Sequence, residues 1–170
     1  ERGGIDPQQI GVCLVATLTQ DHLTPATACV LQKELGFQED TICFDLNAAC
    51  SGFVYALHTA ECLLAAAKRK YALVLGAEVL SRVMDLTDRS TCVLFGDGAG
   101  AALVQWREDY PSIHAVLGCR GNDRVLTIPG VNKGEPSVIH MEGQDVFRFA
   151  VETLPRCARE VAEKAGITLD

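Results

Sequence analysis

The chain has 170 residues, a formal net charge of −7 and eight cysteines, and 48% of its residues are hydrophobic although only 6% are aromatic. This length allows one domain with a sizeable core filled mainly by Ala, Val and Leu, and the acidic balance argues against a nucleic-acid surface. We find no apolar run of transmembrane length, no opening signal peptide and no metal-ligand or disulfide spacing among the cysteines. We therefore expect a cytoplasmic protein with no membrane partner and no bound metal.

The first half of the chain alternates between predicted strands and helices. Near-continuous apolar runs predict buried strands at residues 10–17, 42–46 and 71–77. Between them, Thr24-Pro25 predicts a helix start that Gly36 ends, and apolar residues at helical spacing predict a second helix over 50–67. Strand–helix–strand repeats require right-handed crossovers, so this pattern predicts a mostly parallel sheet with helices on both faces.

After a polar connection at 81–90, the second half is less regular. Two strands, 91–95 and 99–106, are predicted to form an antiparallel hairpin at the sheet edge. A polar stretch at 107–112 suggests a boundary. The later elements are predicted as a strand at 113–118, a loop at 119–136, a strand at 137–141 and a helix at 143–165. The apolar face predicted for this last helix consists of Val146, Ala150, Leu154, Cys157 and Val161.

Cys50 lies where an apolar strand stops and a long apolar helix begins, among the small residues of the segment 45–53 (DLNAACSGF). The start of a helix presents free N–H groups and the positive end of the helix dipole, which favour a thiolate nucleophile. The alternative is a cysteine that packs as a small hydrophobe. Six other cysteines, all in apolar runs, are interpreted as core residues: Cys13, Cys29, Cys43, Cys62, Cys92 and Cys157.

Two further features allow alternative interpretations. The segment 96–100 (GDGAG) does not fit a dinucleotide loop, because a strand rather than a helix follows it, and a tight glycine turn is the simpler interpretation. Arg89 is either an ordinary surface arginine paired with Asp85 or Asp88, or a phosphate ligand at the mouth of a cleft. His58 lies eight residues beyond Cys50 on the same helix, too far along it to touch the sulfur.

Taken together, these segments resemble one family, the β-ketoacyl-acyl-carrier-protein synthase III enzymes of the thiolase-like superfamily. The resemblance rests on the segments 45–53, 71–78, 87–89, 95–101 and 141–150, which follow in that family's order and spacing. It implies an α/β, thiolase-like fold of layered helices and mostly parallel sheet, here incomplete. Residues 1–108 would form most of the first half and residues 109–170 the beginning of the second.

The resemblance also implies an activity. Cys50 would take an acyl group from acyl-CoA, and malonyl-acyl-carrier protein would lose CO2 to form an enolate that attacks the acyl-cysteine, initiating fatty acid synthesis. Both partners are substrates, no cofactor is implied, and the intact protein would be a homodimer. Arg89 matches a residue that meets the CoA nucleotide, and Gly143 and Phe147 match residues of the pantetheine tunnel. Thr24 matches a position that reaches the partner subunit's acyl pocket.

The family's catalytic histidine and asparagine, in Pro-His-Gln-Ala-Asn and Gly-Asn-Thr motifs, do not occur in this sequence. We expect them beyond Asp170, so the 170 residues should not catalyse condensation, although Cys50 should still accept an acyl group. Two alternatives stay open. One is a related thiolase-fold acyltransferase of polyketide or secondary metabolism, and the other is a non-catalytic dimerisation module.

Overall fold

The computed structural model describes residues 3–130, 134 and 136–169. They divide into two compact units, the first comprising residues 1–79 and 97–113 and the second residues 80–96 and 114–170. The predicted division at residue 108 concerns the halves of a longer family fold and stays a prediction.

The first unit is built on a four-stranded sheet. Its elements are β1 (Ile10–Ala16), α1 (Thr27–Leu35), β2 (Ile42–Leu46), α2 (Gly52–Ala67), β3 (Tyr71–Glu78) and β4 (Gly98–Gln105). The strand order is β2-β1-β3-β4; the first three strands are parallel and β4 is antiparallel to β3. This arrangement confirms the prediction of an α/β fold with a mostly parallel sheet.

Helices cover both faces of this sheet. Strand β1 is buried along its whole length, as expected for a central parallel strand. On one face, Val12 and Leu14 pack in a cluster with the buried residues of α2, namely Ala56, Ala60 and Leu64. On the other face, Cys13 and Val15 pack with Ala28 of α1. The small residues of α2 let it lie close to the sheet, so that its first turn meets the ends of the strands.

The stretch Ala49–Ala67 is long and apolar enough to cross a membrane, by length and composition alone. It is not an uninterrupted apolar run, because it contains His58 and Glu61. The apolar composition has a structural explanation, because Ala56, Ala60 and Leu64 of this stretch are buried against the sheet. Its length is therefore weak evidence for a membrane span.

Two predicted helix starts shift by two residues. Helix α1 begins at Thr27 rather than Pro25, because the Asp45 carboxylate accepts hydrogen bonds from the backbone N–H groups of Thr27 and Ala28. Helix α2 begins at Gly52 rather than Cys50, because a single 3-10 turn, Ala49–Ser51, comes first.

The second unit contains a short 3-10 helix (Leu80–Val83), the strands β5 (Leu126–Thr127) and β6 (His140–Met141), and helix α3 (Gly143–Ala165). Strands β5 and β6 pair antiparallel. The bounds of α3 confirm the prediction, and Gly166 ends it in the left-handed conformation with φ +67°. The N–H of Ile139 donates to the carbonyl of Val83 at 2.8 Å, which ties the approach to β6 to the 3-10 helix.

The predicted strand at 91–95 is wrong. This segment forms turns, since the carbonyl of Asp88 accepts from the N–H groups of Thr91 and Cys92 and its carboxylate accepts from Ser90 and Thr91. Val93 and Leu94 are 69% and 62% exposed, so this short apolar run is not a core strand. The predicted hairpin is wrong for the same reason, and β4 pairs with β3 instead.

Three later predictions also need correction. Residues 113–118 form no regular strand, and the predicted strand at 137–141 is reduced to β6, whose partner β5 lies in the predicted loop 119–136. Residues 131–133 and 135 of that loop fall outside the described part of the chain. On α3, Leu154 is 68% exposed, so it is not on the apolar face assigned to it.

Candidate active site

Cys50 is an exposed, unpaired thiol in the turn that joins β2 to α2. The strand before it ends at Leu46 and the helix after it begins at Gly52. The sulfur is therefore neither in the middle of a helix nor shielded inside the core. Its place agrees with the expected junction between strand and helix.

The backbone of this turn has an unusual conformation. Ala49, the residue before Cys50, has φ +46°, in the left-handed region that costs a residue with a Cβ about 1–2 kcal/mol. The side chain of Asn47 accepts a hydrogen bond from the N–H of Ala49 at 3.1 Å, and the N–H of Ser51 donates to the carbonyl of Ala48 at 3.1 Å. These bonds hold a strained conformation of the kind that clusters at functional sites.

The electrostatics of the turn favour an anion. Within the described part of the chain, no side chain caps the first turn of α2, so its N–H groups and dipole point toward the turn that holds Cys50. The N–H of Cys50 itself takes part in none of the hydrogen bonds found among residues 3–130, 134 and 136–169. It is therefore available to an oxygen that gains negative charge next to the sulfur.

Gly52 lets α2 start close to the sheet. A Cβ placed on Gly52 would lie 3.0 Å from the Cβ of Ala16, which is tighter than ordinary packing. Ala16 is the last residue of β1 and is almost fully buried. The glycine therefore brings the beginning of α2, and the cysteine before it, against the carboxyl end of the central strand.

Sequence reasoning missed two carboxylates at the same edge of the sheet. Asp45 on β2 accepts from the N–H groups of Thr27 and Ala28 at 2.7 and 2.8 Å. Glu78 at the end of β3 accepts from the N–H of Leu18 at 2.9 Å. The sequence did contain a signal for them, because each is an acidic residue in or directly after a strongly apolar run. Acidic side chains are rarely buried without a partner, so such a position predicts a hydrogen-bonded carboxylate.

Of the six cysteines interpreted as core residues, Cys13 confirms the prediction and the other five are not fully buried. Cys13 is buried, Cys29 and Cys62 are exposed, and Cys43, Cys92 and Cys157 are half-buried. Although exposed, Cys29 contacts the sheet, because its thiol donates to the carbonyl of Cys43 on β2 at 3.7 Å. Cys119 is exposed as well. In the described part of the chain, no group of three His, Cys, Asp or Glu side chains is arranged to hold a metal ion; the expectation that the protein binds none stays a prediction.

A cavity of about 430 Å³ lies toward the other end of α2. Its lining includes Glu61, Leu64, Trp106 and Tyr110. Glu61 follows Cys50 by eleven residues, roughly 16 Å along a helix, so this cavity is not the surroundings of the sulfur. His58 faces Glu61, with Nδ1 3.5 Å from Oε2, as expected for a histidine that does not act on Cys50.

Thr24 is exposed in the loop between β1 and α1. It belongs to the same unit as Cys50. The loop leaves β1 beside β2, since the N–H of Thr17 donates to the carbonyl of Leu46 at 3.1 Å. The parallel arrangement thus places the start of this loop and the Cys50 turn at the same edge of the sheet.

Arg89 lies in the second unit, on an exposed loop that is organised by its own aspartates. Asp85 accepts from the hydroxyl of Thr87 at 2.6 Å, and Asp88 accepts from the hydroxyl of Ser90 at 2.6 Å. These hydroxyl hydrogen bonds are the main reason that the pKa of each carboxyl is lowered. Among the described side chains, Arg89 forms no ion pair with Asp85 or Asp88, so this alternative is not found in the structure.

Gly143 and Phe147 lie on the first turns of α3, in the same unit as Arg89. Gly143 is the first residue of the helix, and Phe147, one turn later, is 66% exposed. The N–H of Ile139, four residues before Gly143, donates to the carbonyl of Val83 at 2.8 Å. The structure therefore brings the segment that leads into the Arg89 loop near the start of α3.

Comparison with known proteins decides the family. Residues 44–121 match the sequence model of the family described as 3-oxoacyl-[acyl-carrier-protein (ACP)] synthase III. The terms 3-oxoacyl and β-ketoacyl name the same acyl group. The crystal structure of 3-oxoacyl-[acyl-carrier-protein] synthase III from Aquifex aeolicus VF5 is 40% identical and covers 96% of this chain with a TM-score of 0.86. This chain belongs to the 3-oxoacyl-ACP synthase III family. It therefore has the thiolase-like α/β fold of a family of acyl-transferring synthases.

Two other structures extend the comparison. The synthase III from Thermus thermophilus is 38% identical, covers 98% of this chain and gives a TM-score of 0.87. A priming β-ketosynthase from the R1128 polyketide pathway is 37% identical, covers 97% of this chain and gives a TM-score of 0.88. The chain spans about half the length of these synthases, 52%, 54% and 52% of the three structures.

Proposed function

We propose that Cys50 is the acylated nucleophile of a 3-oxoacyl-ACP synthase III that initiates fatty acid synthesis. The observation that carries this proposal is the exposed thiol of Cys50 at the uncapped start of α2, in a chain 40% identical to a synthase III over nearly its whole length. Small residues around the sulfur, Ala48, Ala49 and Ser51, leave room for a thioester.

In the first half-reaction the Cys50 thiolate attacks the carbonyl carbon of acyl-CoA. The carbonyl oxygen gains negative charge, which the free N–H of Cys50 and the dipole of α2 stabilise. The bond between carbon and the CoA sulfur then breaks, CoA leaves as a thiol after taking up a proton, and the acyl group stays on Cys50 as a thioester.

In the second half-reaction malonyl-ACP loses CO2, and the resulting enolate carbon attacks the acyl carbon on Cys50. A carbon–carbon bond forms, the bond from the acyl carbon to Cys50 breaks, and 3-oxoacyl-ACP leaves. The family resemblance assigns this step to a histidine and an asparagine in motifs absent from the 170 residues. It implies no cofactor, because acyl-CoA and malonyl-ACP supply both carbon fragments.

Arg89, Gly143 and Phe147 are proposed to bind CoA. Arg89 is exposed, and a guanidinium is suited to bind a phosphate through two hydrogen bonds. Gly143 and Phe147 would line the pantetheine arm; support comes from their place on one side of α3, one turn apart. Thr24, which is exposed in the loop after β1, would border the acyl pocket of the partner subunit.

The proposal includes a homodimer, acyl carrier protein as the second partner, and a cytoplasmic location. All eight cysteines are unpaired, which suits a reducing compartment. Among the described strands, β2 and β4 lie at the sheet edges, and an edge strand offers free backbone groups to another chain.

Acyl transfer tests the proposal directly, and it needs only the first half-reaction. The chain would be incubated with acetyl-CoA, and the site of any acetyl group would be mapped by peptide mass spectrometry. We expect one acetyl group, on Cys50, and none in Cys50→Ser. An acetyl group on another cysteine, or on Cys50→Ser at the wild-type rate, would contradict the assignment.

A second candidate is the priming of polyketide synthesis, which the 37% identity to the R1128 priming ketosynthase favours. Both functions share the acyl-Cys50 intermediate and differ in the acyl group. Rates of Cys50 acylation from CoA thioesters of increasing chain length separate them. Fastest transfer from acetyl-CoA supports fatty acid initiation, whereas fastest transfer of a longer acyl group supports the polyketide role.

A further inference from the structure

The turn at Cys50 uses three of its four consecutive backbone N–H groups, those of residues 49–52, for its own hydrogen bonds. The first donates to the side chain of Asn47 at 3.1 Å, and the third donates to the carbonyl of Ala48 at 3.1 Å. The fourth donates to the carbonyl of Ala49. Within the described part of the chain, the N–H of Cys50 is therefore the one donor of the four that is left for a ligand.

The backbone of Ala49 decides where this donor points. The peptide group that carries the N–H of Cys50 is planar and joins Ala49 to Cys50, so the dihedral angles of Ala49 orient it. Ala49 has φ +46°, in the left-handed region that a residue with a Cβ rarely adopts. If Ala49 relaxed to a commoner conformation, the peptide group would turn and the donor would turn with it.

Asn47 is the side chain that holds this backbone. Among the hydrogen bonds of the described residues, it provides the one side-chain contact to the backbone of residues 48–52. An asparagine side chain bonded to the backbone two residues later stabilises a turn, and here it fixes the peptide group that precedes Ala49. The same bond occupies the N–H of Ala49, which would otherwise be a second donor next to the sulfur.

We propose that Asn47 is a positioning residue, which holds Ala49 in the left-handed conformation and thereby directs the N–H of Cys50 at the oxygen of the incoming acyl group. This inference rests on the proposed function and adds to it the side chain that orients the donor. Asn47 acts through the backbone of the turn, two residues before the peptide group that it orients.

The proposal separates two reactions of the same sulfur. Acyl transfer places negative charge on the carbonyl oxygen, so its rate depends on a donor that faces this oxygen. Iodoacetamide reacts differently, because the thiolate displaces iodide from a CH2 group and no oxygen gains charge. A substitution at Asn47 should therefore slow acylation of Cys50 and leave its alkylation nearly unchanged.

The test compares Asn47→Ala, which removes the acceptor, with Asn47→Ser, whose hydroxyl can accept the same N–H more weakly. Asn122→Ala is the matched control, because Asn122 accepts from the N–H of Arg124, also two residues later and at 3.1 Å, but in the second unit. Acetylation of Cys50 by saturating acetyl-CoA and its alkylation by iodoacetamide are followed by mass spectrometry. The buried Cys13 must stay unlabelled as a check that each variant is folded.

We expect Asn47→Ala to slow acetylation about fivefold and to be alkylated within about twofold of the wild-type rate. Removal of a whole oxyanion donor costs about 100-fold or more, and a donor that is misdirected for part of the time should cost less. Asn47→Ser should be acetylated at a rate between those of wild type and Asn47→Ala. Asn122→Ala should match wild type in both reactions.

Ala49→Gly tests the link through the backbone. Glycine adopts the left-handed region about as readily as the right-handed one, so residue 49 would then need less help from Asn47. We expect the loss caused by Asn47→Ala to shrink to about twofold or less in the Ala49→Gly background. A loss of the same size in both backgrounds would overturn the proposal, because Asn47 would then act by another route.

Two further results would overturn the role of Asn47 while wild-type Cys50 is acetylated. One is acetylation of Asn47→Ala at the wild-type rate. The other is an equal loss of acetylation and alkylation, which would indicate that the substitution disrupts the turn in general. Absence of acetylation in the wild-type chain is a different result, which overturns the proposed function and the role of Asn47 with it.

Discussion

Exposure alone does not separate Cys50 from the other thiols, because Cys29, Cys62 and Cys119 are exposed as well. Its backbone setting separates it: a strand end on one side, a helix start on the other, and a left-handed Ala49 directly before it. The sequence could predict the junction, since apolar runs mark the strand and the helix. It could not predict the φ angle of Ala49, which depends on local hydrogen bonds.

Two thiols on the α1 side of the sheet give a prediction about pH. Burial is the main cause that raises the pKa of Cys13 to about 12 and that of Cys43 to about 11, and neighbouring thiols add to it. In the unfolded chain the pKa of such thiols is about 8.5. The folded state holds these protons more tightly, so their contribution to stability is complete below the unfolded pKa and is lost as the pH rises through about 11 to 12.

We therefore expect the free energy of unfolding in urea to decrease as the pH rises above about 9. Cys13→Ala should be less stable than wild type near neutral pH, because it leaves a cavity in the core. Its stability should nevertheless fall less steeply with pH, because one of the two titrating thiols is gone. Equal slopes for wild type and Cys13→Ala would contradict the assignment of this pH dependence to Cys13.

At the scale of elements, the sequence predicted the bounds of a strand or helix correctly where the apolar periodicity of that segment determines its structure. The bounds of β2 and α3 were predicted from such patterns alone. The start of α1 was misplaced because its cap is Asp45, which is distant in sequence. The strand at 91–95 was wrong because Asp88 binds the following residues into turns, a local competition that an apolar run does not reveal.

Contact between α2 and β1 gives a prediction for Gly52. Gly52→Ala would gain helix propensity, about 1 kcal/mol at most, but its Cβ would meet the Cβ of Ala16 at 3.0 Å. Overpacking of this kind costs about 1–3 kcal/mol, so we expect a net loss of stability of roughly 1 kcal/mol and slower acylation of Cys50.

Gly76→Ala is the matched control, because its Cβ would lie at an ordinary distance of 3.6 Å from the ring of Phe53. It should leave the unfolding midpoint and the acylation rate close to those of wild type. If Gly52→Ala behaves like Gly76→Ala in thermal unfolding and in acyl transfer, close packing of α2 on β1 does not position the cysteine.

At the scale of the whole molecule, alternation of strands and helices was enough to predict an α/β fold with a sheet covered on both faces. The division into units could not be predicted in the same way. Strand β4 pairs with β3 across the segment 80–96, which belongs to the other unit, and no periodicity records such a pairing. The proposed site residues are accordingly distributed, with Cys50 and Thr24 in one unit and Arg89, Gly143 and Phe147 in the other.

The central claim is that the start of α2 activates Cys50 as a nucleophile, and differential alkylation measures this. The folded chain would be treated with limiting iodoacetamide near neutral pH, and the modification rate of each cysteine would be followed by mass spectrometry. Cys50, Cys29, Cys62 and Cys119 are all exposed, so a difference in their rates does not come from exposure alone. We expect Cys50 to react at least about ten times faster than the other three, because a helix start stabilises a thiolate. If Cys50 reacts no faster than these three exposed thiols, the claim is contradicted.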